Sequence, residues 1–276
     1  MTVLLFFTDL IEIKIKILYN VFMLSIITLL CFGGILFPPT LLLCLVYPFN
    51  RKAAIAVSNY ITCVCAHKVF AVLKMYRQFN FLGEKEGMKN LPEQFIVISN
   101  HQSLFDIVVY LKYFGGLKAR FVAKDNLGKV PMVGKMLKSQ QHCMIPRKGS
   151  PSVAMKSIDR FGESIMGKKQ YPVIFPEGTR SRDGNLNQFY SAGFRRLVAA
   201  TRLPVAVCAL DGGWKISNLD SIMKNLRRGA YRVKVLKVYD APKDKEEEKK
   251  ILEESRSPIQ NQLDVWRNLP ENSLEV

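Results

Sequence analysis

The chain has 276 residues, 49% of them apolar and 23% charged, enough to bury one large core or two small ones. That apolar share excludes a disordered chain, which needs low hydrophobicity, and charges spread through everything after residue 50 argue against a protein built mainly of membrane spans. Forty Lys and Arg against 23 Asp and Glu leave a net charge of +17, a surface that attracts nucleic acid, anionic lipid head groups, phosphorylated substrates or acidic carrier proteins.

From Ile17 to Asn50 there is no charged residue. About 20 apolar residues suffice to span a bilayer as a helix, so this run can enter a membrane. Pro38-Pro39, preceded by Gly33-Gly34, interrupts it. The pair predicts a helix over 17–36, a break, and a second apolar segment from 40 onward. Lys14 and Lys16 precede the run, and Arg51 and Lys52 follow it. The positive-inside tendency places both flanks on the cytoplasmic side, as a re-entrant or monotopic hairpin allows and a single crossing does not. The length of the run and the lack of an A-x-A site argue against a cleaved signal peptide. Residues 53–77 continue as a helix with Lys68, Lys74 and Arg77 toward its end, which suits an interfacial helix and a core helix equally.

The segment Gly83 to Pro92 is polar and rich in turn residues, and a domain boundary is placed there. It separates an N-terminal membrane-embedded or interfacial helical segment (1–80) from a second domain (81–276). In that domain, apolar runs of strand length alternate with longer helical patterns, which predicts an α/β fold. The predicted strands are Phe95–Ser99, Arg120–Ala123, Pro172–Phe175, Pro204–Leu210 and Tyr231–Val238. Helices are predicted at 103–114, 131–139, 150–167 and 189–201, with a charged, solvated helix at 243–256. Cys31, Cys44, Cys63, Cys65, Cys143 and Cys208 form no C-x-x-C pair. They read as buried thiols of a reducing compartment rather than a disulfide framework or zinc site. His67, His101 and His142 are too scattered to suggest a metal site, and no metal is expected.

Two segments carry candidate chemistry. In NHQSLFD (100–106) a buried strand ends at His101, with Asp106 five residues on. Five residues turn an ideal helix by about 500°, so the two side chains would not meet on one straight helix. With His101 on the loop and Asp106 in the first helical turn, the carboxylate can accept the imidazole Nδ1–H and leave Nε2 as a general base. The same residues also read as an S-x-x-D capping box, with Asp106 merely capping a helix. In YPVIFPEGTRSR (171–182) a strand runs into Glu177, Gly178, Thr179 and Arg180. Arginine's planar fork suits phosphate, Gly178 permits close backbone approach, and Glu177 is placed to hold an arginine. A polar turn with a local Glu–Arg pair is the plainer reading.

Together, NHQSLFD and FPEGTR, in this order and about 75 residues apart, resemble the two hallmark motifs of the glycerolipid acyltransferase family, typified by 1-acylglycerol-3-phosphate O-acyltransferase (lysophosphatidate acyltransferase). FVAKDNLGKVPMVG (121–134), Phe189…Gly193…Leu197 and LPVAVCAL (203–210) are similar to its looser blocks, so the resemblance covers about 80–215. Ile145-Pro146-Arg147 stands where the family has Ile-Asp/Glu-Arg, and Val207-Cys208 where it has a second proline.

The resemblance implies a mixed sheet flanked by helices, like glycerol-3-phosphate acyltransferase, behind an N-terminal apolar membrane hairpin. It implies acyl transfer from coenzyme A or acyl carrier protein to lysophosphatidate, without a cofactor, giving phosphatidate. His101 would be the base and Asp106 its partner. Arg180, helped by Lys124 and Arg147, would hold the acceptor phosphate in a pocket shaped by Glu177, Gly178 and Thr179. The acyl tail would run in an apolar groove toward the hairpin, with the catalytic domain at the cytoplasmic face of the membrane and phospholipid as a partner. Nine Lys and Arg in 112–148, Arg120 among them, read either as a patch that grips anionic lipid or an acidic carrier or as solvated surface charges. The rival readings are another acceptor (glycerol-3-phosphate, another lysophospholipid or an acylated amino acid), a catalytically dead membrane-surface binding protein, and a nucleic-acid binder. No aromatic and basic residues interleave as the last would need, so no nucleic-acid partner is expected.

Overall fold

The computed structural model describes the backbone of residues 2–77, 79–146, 150–217 and 229–270, and the side chains among them from residue 19 onward except at 21, 76, 77, 131 and 132. The chain opens with one helix, α1 (Thr2–Val46), that contains both Pro38 and Pro39. The expected break at the proline pair is therefore absent. Proline removes a donor from the helix ladder and frees the carbonyl four residues earlier, and apolar surroundings tolerate this when a neighbouring helix satisfies the freed group. Pro39 frees the Ile35 carbonyl, and the Cys65 thiol of the facing helix donates to it at 3.5 Å.

The chain reverses instead at 47–50, where Asn50 caps α2 (Arg51–Tyr60) by accepting from the Ala53 amide. A π-turn at Ile61–Cys65 and α3 (Ala66–Arg77) continue the same rod. It runs antiparallel to α1, with Leu42 opposite Ala56 and Phe32 opposite Val69 about two shared cavities. Phe22–Val46 and Arg51–Met75 are each 25 residues long and apolar enough to cross a membrane. Leu30, Phe37, Leu45 and Phe49 are exposed on this hairpin, Phe49 at its tip. Lys14 and Lys16 lie in α1 ahead of its apolar stretch, and Arg51 and Lys52 open α2 just past the far end of that stretch. Helix α3 also joins the core through Val69, Phe70 and Leu73, as the core reading of this helix expects.

The described strands form a seven-stranded mixed sheet. They are β1 (Phe79–Gly83), β2 (Ile96–Ser99), β3 (Ala119–Lys124), β4 (Cys143–Ile145), β5 (Tyr171–Ile174), β6 (Val205–Asp211) and β7 (Gly229–Tyr239). Their order is β1-β7-β6-β2-β5-β3-β4, and every pair is parallel except β6–β7. The central strands are apolar at successive positions because helices cover both faces. Val97, Val173, Ala206 and Leu210 face α3 and α4 (Phe105–Phe114). Ile96, Ile98, Val205 and Val207 face α6 (Pro151–Met166), α7 (Ser191–Thr201) and α8 (Lys245–Asn268). Helix α5 (Pro131–Ser139) packs between the sheet domain and the hairpin.

Three expectations shift here. Strand β1 pairs with β7, Phe81 opposite Tyr231, so the sheet begins before the polar stretch and a boundary at residue 80 falls inside a strand. Helix α8 extends twelve residues beyond 256, through Pro258, because Ile259, Leu263 and Trp266 are buried and continue the stripe begun by Ile251 and Leu252. Of the thiols, Cys65, Cys143 and Cys208 are buried, whereas Cys31, Cys44 and Cys63 are half-buried on the hairpin; all six are unpaired.

Candidate active site

Strands β2, β3, β5 and β6 run parallel, so their carboxyl ends share one edge of the sheet, where ligands of α/β folds bind. The motif after β2 is locked to that edge by its own side chains. Asn100 imitates a strand residue, donating to the Leu210 carbonyl (2.8 Å) and accepting from the Leu210 amide (3.0 Å). Gln102 donates to Asp211 (2.9 Å) and accepts from the Gly213 amide (3.0 Å). His101 is left between them on the loop.

Asp106, in the first turn of α4, is fully buried. Its Oδ2 lies 2.6 Å from His101 Nδ1 and also accepts from the amides of Gln102 (2.7 Å) and Ser103 (3.0 Å). The same carboxylate oxygen thus takes the backbone amides that open the helix and faces the imidazole, so the two geometries are compatible. This geometry favours the Nδ1–H tautomer and leaves Nε2 as a base toward the cavity that His101 lines. Phe175 stacks on the imidazole at 4.1 Å and 12°.

The second motif touches the first through Glu177. Its Oε1 accepts from the His101 amide (2.7 Å), and its Oε2 accepts from the Asn187 amide (2.9 Å) and side chain (2.7 Å). Glu177 therefore holds the His101 backbone rather than an arginine, which corrects the local Glu–Arg pairing. Burial raises its carboxyl above the ordinary range, and the donors from Asn187 and His101 oppose that rise. Gly178 has φ +61 with no atom nearer than 4.0 Å to a would-be Cβ. The glycine is required by the sign of its backbone angle, not by crowding.

A cavity of about 360 Å³ opens beside His101. Thr179, Arg180, Arg182 and Lys124 line it together with Leu104, Ile107, Phe121 and Phe175. The structure thus brings His101, Lys124, Gly178, Thr179 and Arg180 to one cavity, with Asp106 and Glu177 buried behind it. Arg147 lies outside the described residues. Arg120 is buried and donates to the Ala119 carbonyl, so it is no part of a surface patch. A second cavity of about 300 Å³, almost entirely apolar, shares Leu104 and Ile107 with the first and runs between α1, the π-turn, α4 and α5. Asn100 and Gln102 stood within the recognised motif without an assigned task. Asn187 and Asp211, far away in sequence, carried no signal.

Residues 84–211 match the family model described as Acyltransferase. Among curated proteins, the chain is 33% identical over 139 residues to the 1-acyl-sn-glycerol-3-phosphate acyltransferase of Cocos nucifera, covering 49% of this chain and 44% of that one. It is 32% identical over 131 residues to that of Pseudomonas aeruginosa (47% and 49%) and 29% identical over 170 residues to that of Helicobacter pylori (62% and 66%). The chain thus spans less than half the length of the first two. Among solved structures, the 1-acyl-sn-glycerophosphate acyltransferase PlsC of Thermotoga maritima superposes with a TM-score of 0.64 at 21% identity, over 93% of this chain and 98% of that one. At that identity the likeness shows the fold.

Proposed function

We propose, for a chain whose residues 84–211 match an acyltransferase family model, that it moves a fatty acyl group from a thioester to the sn-2 hydroxyl of 1-acylglycerol-3-phosphate, giving phosphatidate. The observation that carries this reading is the His101–Asp106 pair at a cavity lined by Lys124, Arg180 and Arg182, which shares Leu104 and Ile107 with an apolar cavity.

His101 Nε2 takes the proton of the acceptor hydroxyl as its oxygen attacks the thioester carbonyl. Asp106 holds the ring and stabilises the imidazolium that forms. The tetrahedral intermediate collapses, the C–S bond breaks, and the imidazolium returns its proton to the departing sulfur. The acceptor oxygen is itself the nucleophile, so no acyl-enzyme, metal or cofactor enters the scheme. Arg180, with Lys124 and Arg182, faces the acceptor phosphate, since guanidinium and ammonium donors suit phosphate oxygens. The acyl tail follows Leu104 and Ile107 into the apolar cavity beside the hairpin, whose exposed Leu, Phe and Tyr side chains enter the lipid. Unpaired thiols suit a cytoplasmic face.

The test is acyl transfer by the detergent-solubilised protein with lysophosphatidate and long-chain acyl-CoA or acyl carrier protein, beside His101→Ala. Phosphatidate from the wild type and its loss in the variant are expected. No product with either donor would overturn the assignment, and product only with glycerol-3-phosphate would move it to that acceptor.

A further inference from the structure

The buried Asp106 carboxylate has a second oxygen that the dyad does not use. Oδ2 carries His101 and two amides, whereas Oδ1 accepts from the hydroxyl of Tyr231. Tyr231 comes from β7, 125 residues away. Because β7 is antiparallel to β6, with Asp211 opposite Arg232, its beginning lies at the carboxyl edge where the site is built. Tyr231 is fully buried, its ring set edge-on against Phe70 and Phe79. A Cβ on Gly213 would fall 2.0 Å from its hydroxyl and 2.9 Å from Asp106 Oδ1, so the hydroxyl and the carboxylate meet in space that only a glycine at 213 leaves open.

We propose that Tyr231 is a positioning residue for the reaction: its hydroxyl holds the Asp106 carboxylate in the plane that serves His101 and draws charge from it, setting the pH at which His101 becomes free to act as base. This rests on the acyl-transfer reading. Burial, and then the Asp106 charge, push the Tyr231 phenol well above its ordinary range, so it stays protonated and donates.

The other ionisable neighbours are fixed by their own partners. Asp211 faces Tyr231 but is paired with Arg267 and Gln102. Tyr110 faces Asp106 but donates to Ser99. Glu177 bonds the His101 backbone, and Lys124, Arg180 and Arg182 line the cavity that His101 shares.

The sign follows from the hydrogen bond. Without its donor the carboxylate keeps more charge and favours the imidazolium beside it. The acid limb of kcat/KM therefore moves to higher pH in Tyr231→Phe, by about 0.5–1 pH unit, while KM for lysophosphatidate changes less than about twofold. Replacing Tyr231 by 3-fluorotyrosine, a stronger donor of nearly the same shape, moves the limb the other way. A tyrosine that only fills space would lower activity equally at every pH. Limbs that overlay the wild type in both proteins would overturn the proposal. If Tyr231→Phe does not fold, the fluorotyrosine protein alone decides on the same criterion. If the wild type transfers no acyl group, the acyl-transfer reading fails separately. The His101 ring titration by NMR, assigned with His101→Gln, then carries the test: an unchanged midpoint overturns it and a shift of the stated sign supports it.

Discussion

The Glu177 carboxylate accepts the backbone N–H of His101 at 2.7 Å across 76 residues of sequence. Through this contact the second motif holds the first. Glu177 faces only donors, from His101 and from the Asn187 backbone and side chain. An amide in its place turns an N–H toward an N–H. Glu177→Gln is expected to lower kcat about 10–100-fold with little change in KM, because it displaces the loop carrying the base. Steady-state kinetics check this, and a proportionate rise in KM alone would refute it.

His101→Ala removes the base itself and is expected to cost about 10²–10⁴ in kcat. Asp106→Asn is expected to cost a similar factor, since an amide cannot be the acceptor for Nδ1–H and both backbone amides while stabilising an imidazolium. Activity in Asp106→Asn within about twofold of wild type would reduce Asp106 to a helix cap.

Arg180 is exposed and lines the site cavity. Arg180→Ala is expected to raise KM for lysophosphatidate about tenfold and to leave the value for the acyl donor nearly unchanged. Competition by inorganic phosphate should weaken in parallel. An equal effect on both substrates would place the acceptor phosphate elsewhere.

Ala66, Val69 and Leu111 line the apolar cavity. Filling it with Ala66→Trp is expected to lower kcat/KM for long acyl chains about tenfold while sparing short ones. A chain-length series of acyl thioesters reads this directly. A uniform loss would show that the cavity does not receive the tail.

Stability should fall in mild acid for a reason located in His142. Burial, and then Arg120, depress this imidazole to about 3. Its Nδ1 accepts from the Phe121 amide, and its other nitrogen meets the Gln140 side chain. An unfolded histidine titrates near 6.5, so between about 6.5 and 3 the unfolded chain binds a proton that the folded chain refuses. The contribution is complete above that window and is lost as pH falls through it, by up to about 1.4 kcal/mol per pH unit. Melting curves at neutral pH and in mild acid should differ less for His142→Gln than for the wild type. Equal acid sensitivity in the two would remove His142 from the account.

Much of the site was legible because its motifs are local. His101 and Asp106 sit five residues apart, where a loop followed by a helix turn brings them together whatever the rest of the chain does. Glu177, Gly178, Thr179 and Arg180 follow a strand whose apolar run is plain. The central strands were legible for the same reason, being buried on both faces. Strands β1 and β4 were not: FNFLG follows directly on a helix, and CMI is a three-residue edge. The hairpin was misjudged at Pro38-Pro39 because local rules count the lost donors but do not know that Cys65 faces the freed carbonyl.

Sequence alone determined which chemical groups the site would hold, because residue type and short spacing specify an imidazole beside a carboxylate and cations near a strand end. Tertiary structure alone decided how they are held. Strand order and direction bring Glu177 to the His101 amide, Asp211 to Gln102 and the start of β7 to Asp106. Hydrogen bonds between residues 76 to 125 positions apart depend on which strands become neighbours, and no local pattern in the chain encodes that.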